Sequence, residues 1–223
     1  MKKFASLVLC AVFATAFGPA PAAFAQSGTP SAKASVQVSD TILVADTAGL
    51  DFTPILSTSI KTSEQKDLLM GVSLETVLYT QTLVKSKGGS SDTSFAEARI
   101  LIQVLVDGQR LAEPGLVVFD KRSQSLMAKF NGICADQNGD NIVQYSECQT
   151  PEELELILDT QAAHHFNFVL DDLGSGVHTI EVQAAVVTDT SAQAGSSSAR
   201  AAIGKGSLTV EEIRMVKDVD FTK

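Results

Sequence analysis

Residues that carry common catalytic and ligand-binding chemistry are scarce in this chain, which has no Trp, two Tyr and three His. Without Trp, the flat aromatic platforms of many sugar-binding proteins are hard to build, although Phe can substitute. A transition-metal or acid–base site would have to use His164, His165 and His178. If His164 and His165 lie in a strand, they point to opposite faces and cannot both serve one metal. We therefore expect no catalytic or zinc-binding histidine, and we expect His178 to pack beside the corner at Gly174 to Gly176.

Basic residues are also few: 17 Lys and Arg stand against 26 Asp and Glu, a formal net charge of −9. A protein that binds nucleic acid phosphates needs a basic face, and the densest basic clusters are only Lys121-Arg122 and Lys85 to Lys87. Nucleic acid is therefore not an expected partner. The acidity fits solubility outside the cytoplasm.

Familiar catalytic motifs are missing as well. Gly174-Ser175-Gly176 lacks the spacing of a nucleophile elbow, and the chain has no His-Glu-x-x-His, no phosphate-cradling loop and no dinucleotide fingerprint. Paired carboxylates for sugar cleavage are the remaining enzymatic possibility, and the visible pairs are Asp171-Asp172 and Glu211-Glu212. We expect a non-enzymatic protein, with an exported glycan-acting hydrolase as the alternative.

The apolar stretch from Phe4 to Phe17 is too short to span a membrane and is followed by two prolines. Two lysines precede it, and Ala23-Phe24-Ala25 follows as a small-residue cleavage pattern. These features predict a signal peptide over residues 1–25, cleaved near Ala25/Gln26, and a secreted or periplasmic mature chain without a membrane span. That mature chain has 15 basic and 26 acidic residues, a formal charge of −11.

Segments rich in Val, Ile, Leu and Thr follow a leader at residues 26–35, which is rich in Ser, Ala, Gly and Pro and is predicted to be flexible. Apolar residues alternate with polar ones at Ile100, Ile102, Val104 and Val106, which indicates a strand with one buried face. We predict strands at Val36 to Val44, Ile55 to Thr62, Leu68 to Val84, Ala96 to Val106, Leu116 to Phe119, Ser125 to Phe130, Leu154 to Leu158 continuing at His165 to Leu170, Val177 to Thr188, and Leu208 to Val216.

Turn signals separate these segments. Asp107-Gly108 is typical of a tight turn, and Asp171 to Gly176 predicts another. The polar segments Lys85 to Ser94 and Asp189 to Ser198 are predicted to be long hairpin connections. Thr150-Pro151 has the composition of a helix start, but the alternation after it favours a strand, with at most one helical turn before it.

This pattern predicts an all-β fold, an antiparallel β-sandwich formed as a single domain over residues 36–223 with about ten strands. The stretch from Leu173 to Gln183 loosely resembles the penultimate-strand region of extracellular immunoglobulin-like or jelly-roll sandwiches, in which a Gly-rich corner leads to a His/Tyr-x-Ile-x-Val pattern. Such sandwiches carry many functions, so the resemblance implies a fold class and no activity.

One loop combines residue type and spacing into a specific chemistry. Asp136, Asn138 and Asp140 place oxygen-bearing side chains at the first, third and fifth positions of a twelve-residue pattern, and Glu147 stands at the twelfth. With an apolar residue at the eighth position, these twelve residues resemble an EF-hand calcium loop. Asn141 departs from the pattern at the sixth position, where Gly is usual because the backbone turns with positive φ; Asn is the next most tolerant residue.

The EF-hand resemblance implies the rest of the calcium shell. Ile142 would offer its backbone carbonyl and Gln144 would lie near a bound water. A shared ion would bring the loop ends together, so that Cys134 and Cys148 could form a disulfide that preforms the site. Such a bond across about fifteen residues removes roughly 3 kcal/mol of unfolded-chain freedom.

The surroundings of the loop differ from those of a full EF-hand. Asn131-Gly132 and Thr150-Pro151 interrupt the chain where flanking helices would lie, and the pattern occurs once. We therefore predict a calcium loop inserted into the sandwich at residues 134–148, binding a structural ion weakly, with Kd of roughly 10⁻⁴ to 10⁻³ M. The expected function is a secreted module for binding, adhesion or envelope association, with a surface glycan or a protein as its partner.

Overall fold

The computed structural model describes residues 33–40, 50–85, 90–129, 139–142 and 153–215, and this part of the chain contains nine strands and no helix. Among these residues, accordingly, no helix suited to crossing a membrane is found. The strands are β1 (Ala34–Ser39), β2 (Thr53–Thr62), β3 (Lys66–Lys85), β4 (Ser91–Val106), β5 (Arg110–Leu111), β6 (Val117–Lys129), β7 (Glu153–Leu173), β8 (Gly176–Ala192) and β9 (Ser196–Ile213).

The strands form two antiparallel sheets. The first has the order β1-β9-β3-β7, and the second has the order β2-β8-β4, with β6 and the short β5 both paired to the remaining edge of β4. The apolar faces of the two sheets share one core, so the fold is an antiparallel β-sandwich, as predicted. β6 and β7 are edge strands of different sheets, and their side chains meet where Arg122 donates a hydrogen bond to the Thr160 hydroxyl.

The alternation in β4 places its apolar face at the centre of the core. Ile100, Ile102, Val104 and Val106 have no solvent exposure, which confirms the predicted periodicity. Apolar side chains of β3 and Phe168 of β7 belong to the same cluster. Burying one such side chain completely stabilises a fold by about 1.5–3 kcal/mol, so this face is a principal source of stability.

The two long hairpin connections predicted at Lys85 to Ser94 and Asp189 to Ser198 are wrong. β3 and β4 belong to different sheets, and so do β8 and β9, so the chain crosses between sheets at both places. Turn composition is the same whether a chain returns to its own sheet or crosses to the other. The strands also extend into the polar segments: β4 begins at Ser91 and β8 ends at Ala192.

The other predicted strands are present, but several of them begin or end at different residues than predicted. The two strands predicted at Leu116 to Phe119 and Ser125 to Phe130 are one strand, β6. The polar residues between them, Asp120 to Gln124, also pair with β4. The strand favoured after Thr150-Pro151 is confirmed as β7. β7 continues to Leu173 and β8 begins at Gly176, so the turn predicted at Asp171 to Gly176 is shorter than expected. β1 ends at Ser39, and residues 41–44 of the first predicted strand, Val36 to Val44, lie outside the described residues.

Candidate functional site

The described part of the predicted calcium loop is a tight turn at residues 139–142. Asn141 has a φ of 62°, so the sixth position has the positive φ that the EF-hand pattern places there, and Gly139 has a φ of 77°. The Asp140 Oδ1 atom accepts a hydrogen bond from the backbone N–H of Ile142 at 2.7 Å. All four residues are solvent-exposed. This short turn therefore presents the fifth-position carboxylate on the surface.

The remaining predicted ligands, Asp136, Asn138, Gln144 and Glu147, lie outside the described residues, as do Cys134 and Cys148. The calcium shell and the disulfide therefore stay predictions. The chain order does place the loop between β6 and β7, so it connects the edge strands of the two sheets. Elsewhere in the described ranges, no group of three or more His, Cys, Asp or Glu residues is arranged to hold a metal ion.

The adjacent histidines of β7 point to opposite faces, as expected for a strand. His164 Nε2 lies 3.4 Å from Asp120 Oδ2 of β6, and its ring packs edge-on against Phe119 with centroids 6.0 Å apart. His165 Nδ1 instead forms a 2.8 Å hydrogen bond with the Ser73 hydroxyl on the opposite face. The two rings do not share a metal-binding position.

His178 is a packed residue beside the β7–β8 corner, as predicted. Its Nδ1 lies 2.8 Å from Asp107 Oδ2 and its Nε2 lies 3.0 Å from the Gly174 carbonyl oxygen. The Thr179 backbone N–H donates to Asp107 Oδ1 at 2.9 Å. Burial alone would raise the pKa of Asp107, but the hydrogen bonds from His178 and Thr179 outweigh it, and the pKa is lowered. This cluster fastens the turn after β4 to β8.

The acidic pairs considered for sugar cleavage have structural surroundings. Asp171 Oδ1 lies 3.2 Å from Nη2 of Arg110, and Asp172, with a φ of 52°, accepts a 3.1 Å hydrogen bond from Gln65. Glu211 and Glu212 are successive residues of β9 and therefore point to opposite faces. The first pair lies at the corner between β7 and β8, and the second lies near the end of β9, an interior strand of its sheet.

A cavity of about 520 Å³ opens where β1, β3, β7 and β9 come together. Asp40, Glu75, His164 and Lys205 are among the residues that line it. Glu75 is engaged at the cavity wall, because its Oε2 accepts a hydrogen bond from the Lys205 backbone N–H at 3.4 Å. Sequence reasoning did not single out Asp40 or Glu75, because only the sheet order brings these separate segments together.

A row of polar contacts joins β3 to β6 inside the sandwich. Thr76 donates to Asp120 Oδ2 at 2.5 Å, and Thr80 donates to Gln124 Oε1 at 2.9 Å. Gln124 Nε2 donates in turn to the Leu156 carbonyl of β7 at 2.8 Å. Thr76 and Thr80 are fully buried at inward positions of β3. A threonine at an inward-facing strand position is the sequence signal for such a buried polar contact. The sequence near Thr76 and Thr80 does not show that their partners lie on β6.

No protein-family model matches the chain, and no curated protein matches it. Functional inference therefore depends on the residues themselves.

Proposed function

We propose that this protein is a secreted, non-enzymatic β-sandwich module whose β6–β7 loop binds a structural calcium ion through Asp136, Asn138, Asp140, Ile142, Gln144 and Glu147. A surface glycan or another protein is the proposed partner, in a binding, adhesion or envelope-associated role. The observation that carries the calcium proposal is the positive φ of Asn141, the one residue that departs from the EF-hand pattern. Asn141 supplies the sharp turn for which that pattern uses Gly.

The chemistry of the loop favours a hard cation. Three carboxylates within twelve residues repel one another in the absence of a counter-ion, and oxygen donors are the ligands that calcium prefers. Binding would also restrict a long connection whose closure is entropically unfavourable. Because the connection joins edge strands of both sheets, an ion there would stabilise the sandwich by linking its two layers at one end.

We expect calcium to raise the melting temperature of the oxidised protein. With Kd between 10⁻⁴ and 10⁻³ M, calcium at about 10 mM adds roughly 1.4–2.7 kcal/mol to the free energy of unfolding. For a domain of this size, each kcal/mol corresponds to roughly 2–4 °C. Thermal unfolding followed by circular dichroism, with and without calcium, measures the shift.

Glu147→Gln removes one carboxylate charge at the twelfth position and is expected to abolish most of this shift. Glu64→Gln is the matched control, because Glu64 is exposed and its ion pair with Lys66 lies on a remote turn. It should retain the full calcium response. An unchanged melting curve for the wild-type protein across this calcium range would reject the proposal. Reduction of the disulfide should weaken calcium binding, and equal affinity in both redox states would reject preorganisation by Cys134 and Cys148.

A further inference from the structure

Among the described residues, the outer edge of β7 has no partner strand along most of its length. Glu113 pairs with Val169 through two backbone hydrogen bonds of 2.8 and 2.9 Å, but within the described ranges no strand pairs with this edge from Glu153 to Asn167. Natural edge strands are usually short, or carry Lys, Pro or a bulge that prevents pairing with another chain. β7 has 21 residues and contains no Lys, Arg, Pro or Gly. Its open stretch therefore lacks Lys and Pro, and its charged residues there are Glu153, Glu155 and Asp159.

Large apolar side chains are exposed along the same stretch. Five of them have between 37% and 50% of their surface exposed: Leu154, Leu156, Ile157, Leu158 and Phe166. Thr160 and His164 contact β6, so the even-numbered residues of β7 point to the inner face of the sandwich. Four of the five exposed side chains are even-numbered and lie on this inner face, at the open side of the sandwich: Leu154, Leu156, Leu158 and Phe166. A partner strand along this edge would cover part of that apolar surface.

The pairing of Val169 with Glu113 also shows which backbone N–H and C=O groups of β7 point outward, away from β3. Val169 directs both its N–H and its C=O outward to Glu113. The pairing of β7 with β3 is continuous from Leu170 to Glu153, so the direction alternates without interruption. The odd-numbered residues from Glu153 to Asn167 therefore direct their N–H and C=O groups outward, and the even-numbered residues bond to β3.

We propose that the protein forms a two-fold dimer in which β7 pairs antiparallel with β7 of a second copy, centred on Thr160. Residue 160 is the midpoint of the open stretch from Glu153 to Asn167. A two-fold axis through Thr160 places odd-numbered residues opposite odd-numbered residues, as the outward groups require. About sixteen inter-chain hydrogen bonds follow from this pairing. The two four-stranded sheets become one continuous sheet.

The side chains are complementary in this register. Leu154 lies opposite Phe166, Glu155 lies opposite His165, and Asp159 lies opposite Gln161. No acidic residue faces another acidic residue. A register centred on Asp159 would also satisfy the backbone but would place Asp159 directly opposite itself, and like charges in directly opposed positions destabilise a strand pair. Charge therefore disfavours the register centred on Asp159, and the register centred on Thr160 is the one that pairs the whole open stretch from Glu153 to Asn167.

The first test adds one charge at the edge without changing side-chain shape. Gln161→Glu places a carboxylate opposite Asp159 of the second copy, twice in each dimer, so the dimer Kd should rise about two- to thirty-fold. Gln109→Glu, in the exposed turn after β4, adds the same charge away from β7 and should leave the Kd unchanged. Sedimentation velocity over a range of protein concentrations measures both, and thermal unfolding checks that both variants remain folded.

The second test locates the two-fold axis. A non-hydrogen-bonded antiparallel pair has its Cα atoms about 4.5 Å apart, which is within the range that a disulfide bridges. Thr160→Cys should therefore form an inter-chain disulfide under mild oxidation. Ala162→Cys has the same face and strand, but its counterpart lies opposite Leu158, so it should not cross-link.

These measurements decide the proposal. A dimer that is weakened by Gln161→Glu and cross-linked through Thr160→Cys supports it. A wild-type protein that stays monomeric at all concentrations overturns it, and so does a dimer that tolerates Gln161→Glu. Open-ended growth with concentration also overturns it, because that result indicates head-to-tail pairing of β7 with the free edge of β6.

Discussion

Asp92 is a buried carboxylate whose removal should destabilise the whole sandwich. It lies near the start of β4 and has no solvent exposure. Its Oδ2 accepts a hydrogen bond from the Lys85 backbone N–H at 2.8 Å, and its Oδ1 accepts from the N–H groups of Thr93 and Ala194 at 3.0 Å each. Lys85 ends β3 and Ala194 lies between β8 and β9, so one carboxylate joins both polar crossings between the sheets.

The structure sets the expected magnitude. Asp92→Ala leaves two N–H groups from distant segments, those of Lys85 and Ala194, without their acceptor. A hydrogen bond to a charged group contributes about 1.5–3 kcal/mol. Lys85 is half-buried and Ala194 is exposed, so water replaces part of both bonds, and we expect a loss of roughly 2–4 kcal/mol in the free energy of unfolding. Asp92→Asn keeps the shape but loses the charge and turns an NH₂ group towards a donor. It should cost less, about 1–3 kcal/mol.

Urea denaturation measures these losses, and hydrogen exchange at the Ala194 amide reports the contact directly. Exchange there should accelerate in Asp92→Ala more than at amides in the centre of β4. Asp51→Ala, at an exposed position before β2, serves as the control and should stay within about 0.5 kcal/mol of wild type. A loss below about 1 kcal/mol for Asp92→Ala, with unchanged exchange at Ala194, would refute the reasoning.

Two further predictions concern packing and pH. A Cβ atom on Gly195 would lie 1.7 Å from the Leu83 carbonyl oxygen, so Gly195→Ala should cost about 2 kcal/mol or more in urea denaturation. Gly174→Ala, which meets nothing within 4 Å, should be nearly neutral, and equal effects of the two would contradict this account. Hydrogen bonds from Ser123 and Lys121 lower the pKa of Glu97 below its ordinary value of 4.5. The ionised Glu97 side chain therefore adds to the free energy of unfolding above pH 4.5, and this stabilisation is lost as the pH falls through the folded-state pKa. Glu97→Gln should therefore lower the free energy of unfolding near neutral pH by up to about 1 kcal/mol. Below about pH 4.5 the variant should lose less stability than the wild-type protein. Parallel curves of stability against pH for the two proteins would exclude this role of Glu97.

The sequence was most informative where one local pattern determines the result. Alternation at Ile100 to Val106 predicted the buried face of β4, because burial on one face of a strand requires a period of two. The same logic placed His164 and His165 on opposite faces. It could not show that β3 and β4 belong to different sheets, because that choice depends on the pairing of β4 with β8, which is distant in sequence. Fold class was therefore predictable, and strand connectivity was not.

The candidate sites divide in the same way. The calcium pattern could be recognised because its donors lie within twelve consecutive residues, and Asn141 has the positive φ that its position in the pattern requires. Asp40 and Glu75 could not be recognised as neighbours of one cavity, because they come from β-segments joined only through the sheet order. The N–H donors that reach Asp92 from Lys85 and Ala194 are hidden for the same reason. A polar residue near a turn looks solvent-exposed until a second crossing of the chain is packed against it.

β7 connects the two proposals without making them interdependent. The calcium loop precedes Glu153 at one end of the strand, and the dimer axis passes through Thr160 near its middle. In an antiparallel pair, Glu153 of one copy lies opposite Asn167 of the other, so the two Glu153 residues are about 48 Å apart at a rise of roughly 3.4 Å per residue. The two loops therefore lie at opposite ends of the paired strands. Calcium should raise the melting temperature through each protomer separately while leaving the dimer Kd unchanged, so each proposal can fail without the other.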